Sequence, residues 1–170
     1  MDFLALAKER YSVRAFTKEP VSEDAVKEIL EAGRLAPTAC NNQPQVIYAV
    51  RSKDGLAKLK KCTECHFNAP LAFIVCYDRA KCWVRPFDGH DSGDVDASIV
   101  ATHMMLAAAE RGIGSTWVMY FIPEAVKTEF ALPETVEPAA ILVMGRPAAQ
   151  CKPSGQHFAR KPLAETVIEV

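Results

Sequence analysis

After Gly145 the chain runs for roughly 25 residues without a clear helix or strand, and that tail limits what the rest can be. It is polar and carries Pro147, Pro153 and Pro162 until Thr166 to Val170, whose alternation predicts an edge strand. Such a segment does not stabilise a compact domain by itself, since it has little apolar surface to bury against its ordering entropy. A partner subunit that receives it resolves the difficulty. The first expectation is an assembly rather than a lone chain.

The remainder has ample material for a core. At 170 residues and 18.7 kDa the chain fits one domain, and 49% hydrophobic with 24% charged content argues against disorder. A net charge of −1 leaves no broad field to hold nucleic acid or an anionic membrane. The longest apolar runs, such as Leu71 to Cys76, are too short to span a bilayer. The opening MDFLALAKERYSVR lacks the apolar region and cleavage site of a secretory signal, so a cytoplasmic location is expected. There Cys40, Cys62, Cys65, Cys76, Cys82 and Cys151 default to free thiols, with Cys76 in the core.

Periodicity and punctuation predict the elements. Asp2 to Arg10 forms a first helix; Ser22 caps a second, which Glu23 and Asp24 favour at its positive end. Ala25, Val26, Ile29, Leu30 and Gly33 share one face of that helix, and Pro37 opens a loop from Thr38 to Pro44. Gln45 to Arg51 and Leu71 to Tyr77 read as strands around a short helix, Asp54 to Lys61. Tyr77 to Gly93 is an irregular loop, and Asp94 to Arg111 is the strongest helix, closed by Gly112. Ser115 to Phe121 is a strand, Pro123 starts a helix, and Pro138 to Met144 is the last interior strand.

Two segments carry chemistry. Arg10-Tyr11-Ser12-Val13-Arg14 places two guanidinium groups and a hydroxyl together, donors suited to phosphate oxygens. Alone, it fits a solvated helix end, whose cations meet the negative dipole, better than a binding site. Ala36 to Pro44 supplies amides and small residues that can hydrogen-bond a flat heteroaromatic edge, though Asn and Pro also form ordinary turns.

Their order and spacing are more specific than either alone. Arg10, Ser12, Arg14 and Phe16 match R-x-S-x-R-x-F, and Pro37, Thr38, Asn41, Gln43 and Pro44 match P-[ST]-x-x-N-x-Q-P. Together they resemble the phosphate and isoalloxazine segments of the FMN-dependent nitroreductase family. Ala107 to Trp117 resembles that family's central helix and the strand backing the flavin, Met144 to Pro147 a turn, and Arg160 to Leu163 the C-terminal segment.

The resemblance implies an α+β, three-layer fold with a central mixed sheet flanked by helices, in a domain-swapped homodimer. It implies one domain over 1–170, with a tail from about 147 to 170 wrapping the partner. Arg10, Tyr11, Ser12, Arg14 and Arg160 would hold the phosphate side of FMN. Pro37, Thr38, Ala39 and Asn41 would reach the flavin from the other subunit. Trp117, Val118 and Met119 would lie against the ring, with Asn68 at its polar edge. The implied activity is NAD(P)H-dependent, ping-pong reduction of a small organic acceptor such as a nitroaromatic or quinone. No catalytic side chain is named, because hydride transfer to flavin N5 requires none. Gln45, where many relatives have Trp, and the short chain depart from the family and leave the acceptor open.

Other readings compete at single motifs. Cys62-Thr63-Glu64-Cys65-His66 spells C-x-x-C-H, a haem-attachment pattern or half a zinc site, and also fits thiols beside a helix end. A redox or metal module on Cys62 and Cys65, or a non-catalytic FMN-binding electron carrier, are the alternatives. His103 among apolar neighbours is expected in the core, and His90 with Asp88, Asp91 and Asp94 in a solvated loop. No G-x-G-x-x-G follows a strand, so a Rossmann domain is disfavoured and the nicotinamide is expected to bind transiently.

Overall fold

A computed structural model describes residues 2–170. Its centre is a four-stranded sheet in the order β1-β2-β4-β3, formed by β1 (Gln45–Val50), β2 (Leu71–Asp78), β3 (Gly114–Val118) and β4 (Val136–Gly145). These strands pair antiparallel throughout. The parallel component of the sheet is a single bridge, Ser12 to Ser115, on the outer edge of β3.

Alternation along β2 explains the layers. Leu71, Phe73, Val75 and Tyr77 point into one core, shared with Leu142 and Met144 of β4 and with α2 (Glu23–Arg34) and α4 (Gly93–Glu110). Ala72, Ile74 and Cys76 point into the other, shared with Ile141 and Val143 and with α3 (Lys53–Cys62) and α5 (Pro123–Glu129). A strand buried on both faces reads as an unbroken apolar run, as Leu71 to Cys76 does. Each Ile, Leu or Phe so enclosed contributes about 1.5–3 kcal/mol. Burial pushes the Cys76 thiol up to about 12, which keeps it protonated and inert.

Local chemistry sets the helix ends. Asp2 caps α1 (Phe3–Glu9), accepting from the Ala5 amide at 3.3 Å, and Ser22 caps α2 through the Ala25 amide at 3.4 Å. Helix α4 closes in a Schellman turn: Ile113 N–H donates to the Ala108 carbonyl and Gly112 N–H to that of Ala109, both at 2.9 Å. Gly112 has φ +69°, a conformation that glycine adopts without penalty. The turn aims the chain directly into β3.

Four expectations need correction. Strand β3 stops at Val118 instead of reaching Phe121, because the Ile122 amide donates to the Cys62 carbonyl (2.9 Å) and the Tyr120 carbonyl accepts from Thr63 Oγ1 (2.5 Å). Strand β4 begins at Val136, two residues early; Pro138 is tolerated inside it where the register shifts between Val75 and Cys76, since a bulge spares the missing donor. His103 is exposed on the outer face of α4, its Nδ1 near the Ile99 carbonyl. Thr166 to Val170 forms no strand: its residues pair with no other strand and lie exposed, Ile168 at 88%.

The tail divides in two. Its first part folds onto its own chain: Phe16 bridges Pro147, the Ala148 amide donates to the Ala15 carbonyl (2.9 Å), and Tyr11 OH donates to the Cys151 carbonyl (3.2 Å). The ring of His157, in the short helix α6 (Gly155–Phe158), lies 2.8 Å from the Lys8 carbonyl. From Ala159 to Val170 every residue is exposed.

Candidate functional site

Residues 10–17 leave α1 as an extended segment laid along the edge of β3. Val13 N–H donates to the Ser115 carbonyl (3.0 Å), Thr116 Oγ1 donates to the Val13 carbonyl, and Thr17 N–H donates to the Arg146 carbonyl (2.9 Å). Val13 is buried, so its neighbours Ser12 and Arg14 turn the other way, Ser12 half-buried and Arg14 exposed. Arg10 and Tyr11 line a cleft of about 170 Å³ with Leu6, Gly112, Ser115 and Pro147. Ser115 Oγ is buried there without a hydrogen-bond partner. Burial, then the nearby Cys151, pushes the Tyr11 phenol up and keeps it a neutral donor.

The arginines sort themselves by partner. Arg34, Arg51, Arg79, Arg85, Arg111 and Arg146 each pair with a carboxylate. Among the described residues Arg10, Arg14 and Arg160 pair with none; Arg14 reaches only the Ser12 carbonyl and Arg160 that of Ala159. The contacts of Cys151 and His157 carry the tail back to α1, which brings the stretch before Arg160 alongside Lys8 and Tyr11.

Loop 37–44 stands at the other end of the molecule. Asp96, 1% exposed on the first turn of α4, accepts from the Ala39 amide (2.8 Å) and from Ser92 Oγ (2.7 Å). Thr38 Oγ1 accepts from the Gln43 amide at 3.0 Å. Cys40, Asn41 and Gln43 hold φ of 51°, 54° and 50°, a left-handed conformation that costs non-glycine residues about 1–2 kcal/mol each. Such strain persists only where surrounding bonds over-determine it. Pro37, Asn41 and Gln43 stay exposed, Thr38 and Ala39 partly so.

Helix α4 measures the separation. Asp96 anchors the loop and Ala109 lines the Arg10 cleft; thirteen residues at about 1.5 Å each place them about 20 Å apart. The outer face of α4 between them is open, with Val95 (55% exposed), Ile99 and His103 lining a shallow depression.

The remaining candidates lie near the Arg10 end. Asn68 is exposed in a turn followed by Pro70, which packs with Phe16 on Gly145. Trp117 is half-buried against the first core, Val118 is buried in the second, leaving only its main chain outward, and Met119 is 65% exposed. Cys62 is enclosed at the end of α3, its thiol donating to the Lys58 carbonyl (3.4 Å) and raised mainly by burial. Among the described residues no three His, Cys, Asp or Glu side chains converge as a metal site, and no helix is long and apolar enough to cross a membrane. Asp88 is held by Arg85 at 2.5 Å in the loop before α4, beside exposed His90.

Sequence reading missed Asp96 and Ser115. Asp96 passed for one more acid at a helix start, and the pattern of α4, which singles out no face, held no signal that it turns inward. Ser115 lay hidden inside an ordinary strand pattern.

A four-stranded sheet with helices on both faces and a cleft beside Arg10 and Tyr11 at one edge defines an α+β fold. The family model described as Nitroreductase family matches residues 7–70 and 64–146. A solved nitroreductase family protein from Clostridium difficile 630 superposes with TM-score 0.94 and 43% identity, over 99% of this chain and 98% of that one. A Methanothermobacter thermautotrophicus relative, provisionally named NADH dehydrogenase/NAD(P)H nitroreductase, is 30% identical over 87% of this chain and 78% of its own. An FMN reductase [NAD(P)H] of Bacillus subtilis is 27% identical over 81% of this chain and 62% of its own length. The chain belongs to the nitroreductase family.

Proposed function

We infer that the protein is an NAD(P)H-dependent flavin oxidoreductase with FMN as its cofactor, passing electrons to a small oxidised organic acceptor. The family supports this reading, and so do the names of the relatives. The observation that carries it is the arginine distribution: the three guanidinium groups without a carboxylate are those the phosphate reading requires.

The residues fit the cofactor. Arg10, Arg14, Arg160 and Ser12 would hold the phosphate, with Tyr11 beside them and the unpartnered Ser115 Oγ offering a further polar group in the cleft. Trp117, the Val118 main chain, Met119 and Asn68 would meet the ring. Bound FMN supplies the chemistry, a ring that takes a hydride at N5 and hands its electrons on. The protein's part is to orient that ring and keep one face open.

Pro37, Thr38, Ala39 and Asn41 would serve the partner's flavin in a homodimer. Within one chain they stand about 20 Å from the phosphate segment, along α4. Antiparallel packing of two α4 outer faces about a two-fold axis would bring the loop of each chain to the cleft of the other. It would also cover Val95 and Ile99. Residues 1–170 then act as one FMN-binding domain, with the exposed stretch 159–170 as the part of the tail that wraps the partner. Six free cysteines support a cytoplasmic location.

Two measurements test the reading. Arg10→Ala and Arg160→Ala each weaken FMN binding by about 10- to 150-fold, the equivalent of roughly 1.5–3 kcal/mol for a charge-assisted bond. Unchanged affinity in both would sink the phosphate assignment. In steady state, NADH or NADPH varied against a nitroaromatic or quinone gives parallel double-reciprocal lines, since one open face admits the substrates in turn. Intersecting lines would mean two separate sites.

A further inference from the structure

The C-x-x-C-H motif is used through its histidine. Ala69 N–H donates to the His66 carbonyl (3.0 Å), and Phe67 and Asn68 between them have φ of 47° and 52°. Positive φ at both central positions marks a type I′ turn, which ordinarily takes Asn-Gly. A phenylalanine there is strained and needs outside support. Phe67 finds part of it by packing against the second core.

The rest comes from the histidine ring. Asn68 N–H donates to His66 Nδ1 at 2.9 Å, so Nδ1 must keep its lone pair and the ring is neutral with its proton on Nε2. Partial burial, then the charge of Lys60 on α3, lowers the His66 pKa and favours that form. The other ionisable groups of the elements packed here are Lys61, which pairs with Glu129, and Cys62, Glu64, Cys65 and Tyr120. Thr63 pins the loop from behind, donating to the Tyr120 carbonyl and accepting from the Cys65 amide (3.0 Å). Pro70 then fixes the turn against Phe16 of the arginine segment.

Resting on the placement of Asn68 at the polar edge of the flavin, we propose that His66 is a positioning residue, whose Nδ1 holds the Phe67–Asn68 turn in the conformation that presents Asn68 to FMN. The ring touches neither substrate nor cofactor; it acts through the Asn68 main chain. Protonation would replace the Nδ1 lone pair with a second N–H pointing at the Asn68 N–H, and the turn would open.

The test compares FMN affinity, read by quenching of flavin fluorescence, in wild type, His66→Ala, His66→Asn, Asn68→Ala and the double variant H66A/N68A. The expected loss in His66→Ala is about 5- to 10-fold, the equivalent of one hydrogen bond, matching that of Asn68→Ala. The double variant loses no more than either single one. His66→Asn keeps an acceptor that can take the amide two residues on and does not titrate. It therefore retains wild-type affinity and abolishes the weakening that wild type shows as pH falls through the range where His66 protonates. Loss in Asn68→Ala with none in His66→Ala overturns the positioning role while leaving Asn68 in the site. No loss in either overturns both, and the Arg10 and Arg160 variants still judge the phosphate half separately.

Discussion

A heterodimer built from one Arg10→Ala chain and one Asp96→Ala chain binds about one FMN per dimer with wild-type affinity and turns over at about half the wild-type rate, although each variant alone binds FMN only weakly at both sites. Arg10→Ala removes a cation from the phosphate end. Asp96→Ala strips the acceptor from the Ala39 amide and from Ser92 Oγ, leaving two buried donors unsatisfied at roughly 1–3 kcal/mol each and freeing the strained loop. If each flavin takes its phosphate end from one chain and its loop from the other, one site of the mixed dimer collects both defects. The other collects neither. Chains carrying different tags, co-expressed and purified through both, give the species to be measured. Should Asp96→Ala fail to fold, Ala39→Pro removes the same hydrogen bond from the loop side. A heterodimer with two weak sites and none of wild-type affinity would place both halves of the site in one chain and overturn the shared arrangement.

The second large effect falls on Gly114→Ala. A Cβ there would lie 2.6 Å from Val13 Cγ2, 2.9 Å from Val13 Cβ and 3.0 Å from Pro147 Cγ. Val13 is buried and tied to β3 by main-chain bonds, so the added methyl pushes the whole Arg10–Arg14 segment off the strand edge. Overpacking of this kind costs about 1–3 kcal/mol, a fall of roughly 3–10 °C in Tm for a chain of this size. The specific expectation is loss of FMN beyond what that destabilisation explains. Gly33→Ala is the control: its Cβ would lie 2.9 Å from Met104 Cγ, on α2 and outside both the Arg10–Arg14 segment and loop 37–44. If Gly114→Ala binds FMN as well as Gly33→Ala does at matched stability, the anchoring of the segment on β3 has no bearing on the cofactor.

Much of this was legible where the signal is local. Ser22 announced α2, and the apolar run of β2 announced a buried strand, which proves covered on both sides. What escaped depends on contacts distant in sequence. The residues after Val118 have strand composition, yet Cys62 and Thr63 claim their main-chain groups. His103 sits among apolar neighbours but turns outward, which sequence could not show, because the apolar residues of α4 spread around the helix and single out no face. The alternation of Thr166 to Val170 describes a strand only if an edge is available, which sequence cannot report. His66 looked like part of a metal or haem motif, since its bond to the amide two residues on leaves no pattern in composition.

If the two halves of the binding site stand at opposite ends of α4, on two chains, cofactor and assembly become one equilibrium. On the shared-site reading a lone chain offers FMN only half a binding surface, so flavin binds the dimer far better than the monomer, and by mass action each FMN captured tightens the dimer. Supply of cofactor then sets how much protein is assembled, and dilution sheds both together. On the same reading, a subunit gains a complete site only when it meets a second copy. The mixed-dimer measurement that locates the half-sites also decides whether this coupling exists.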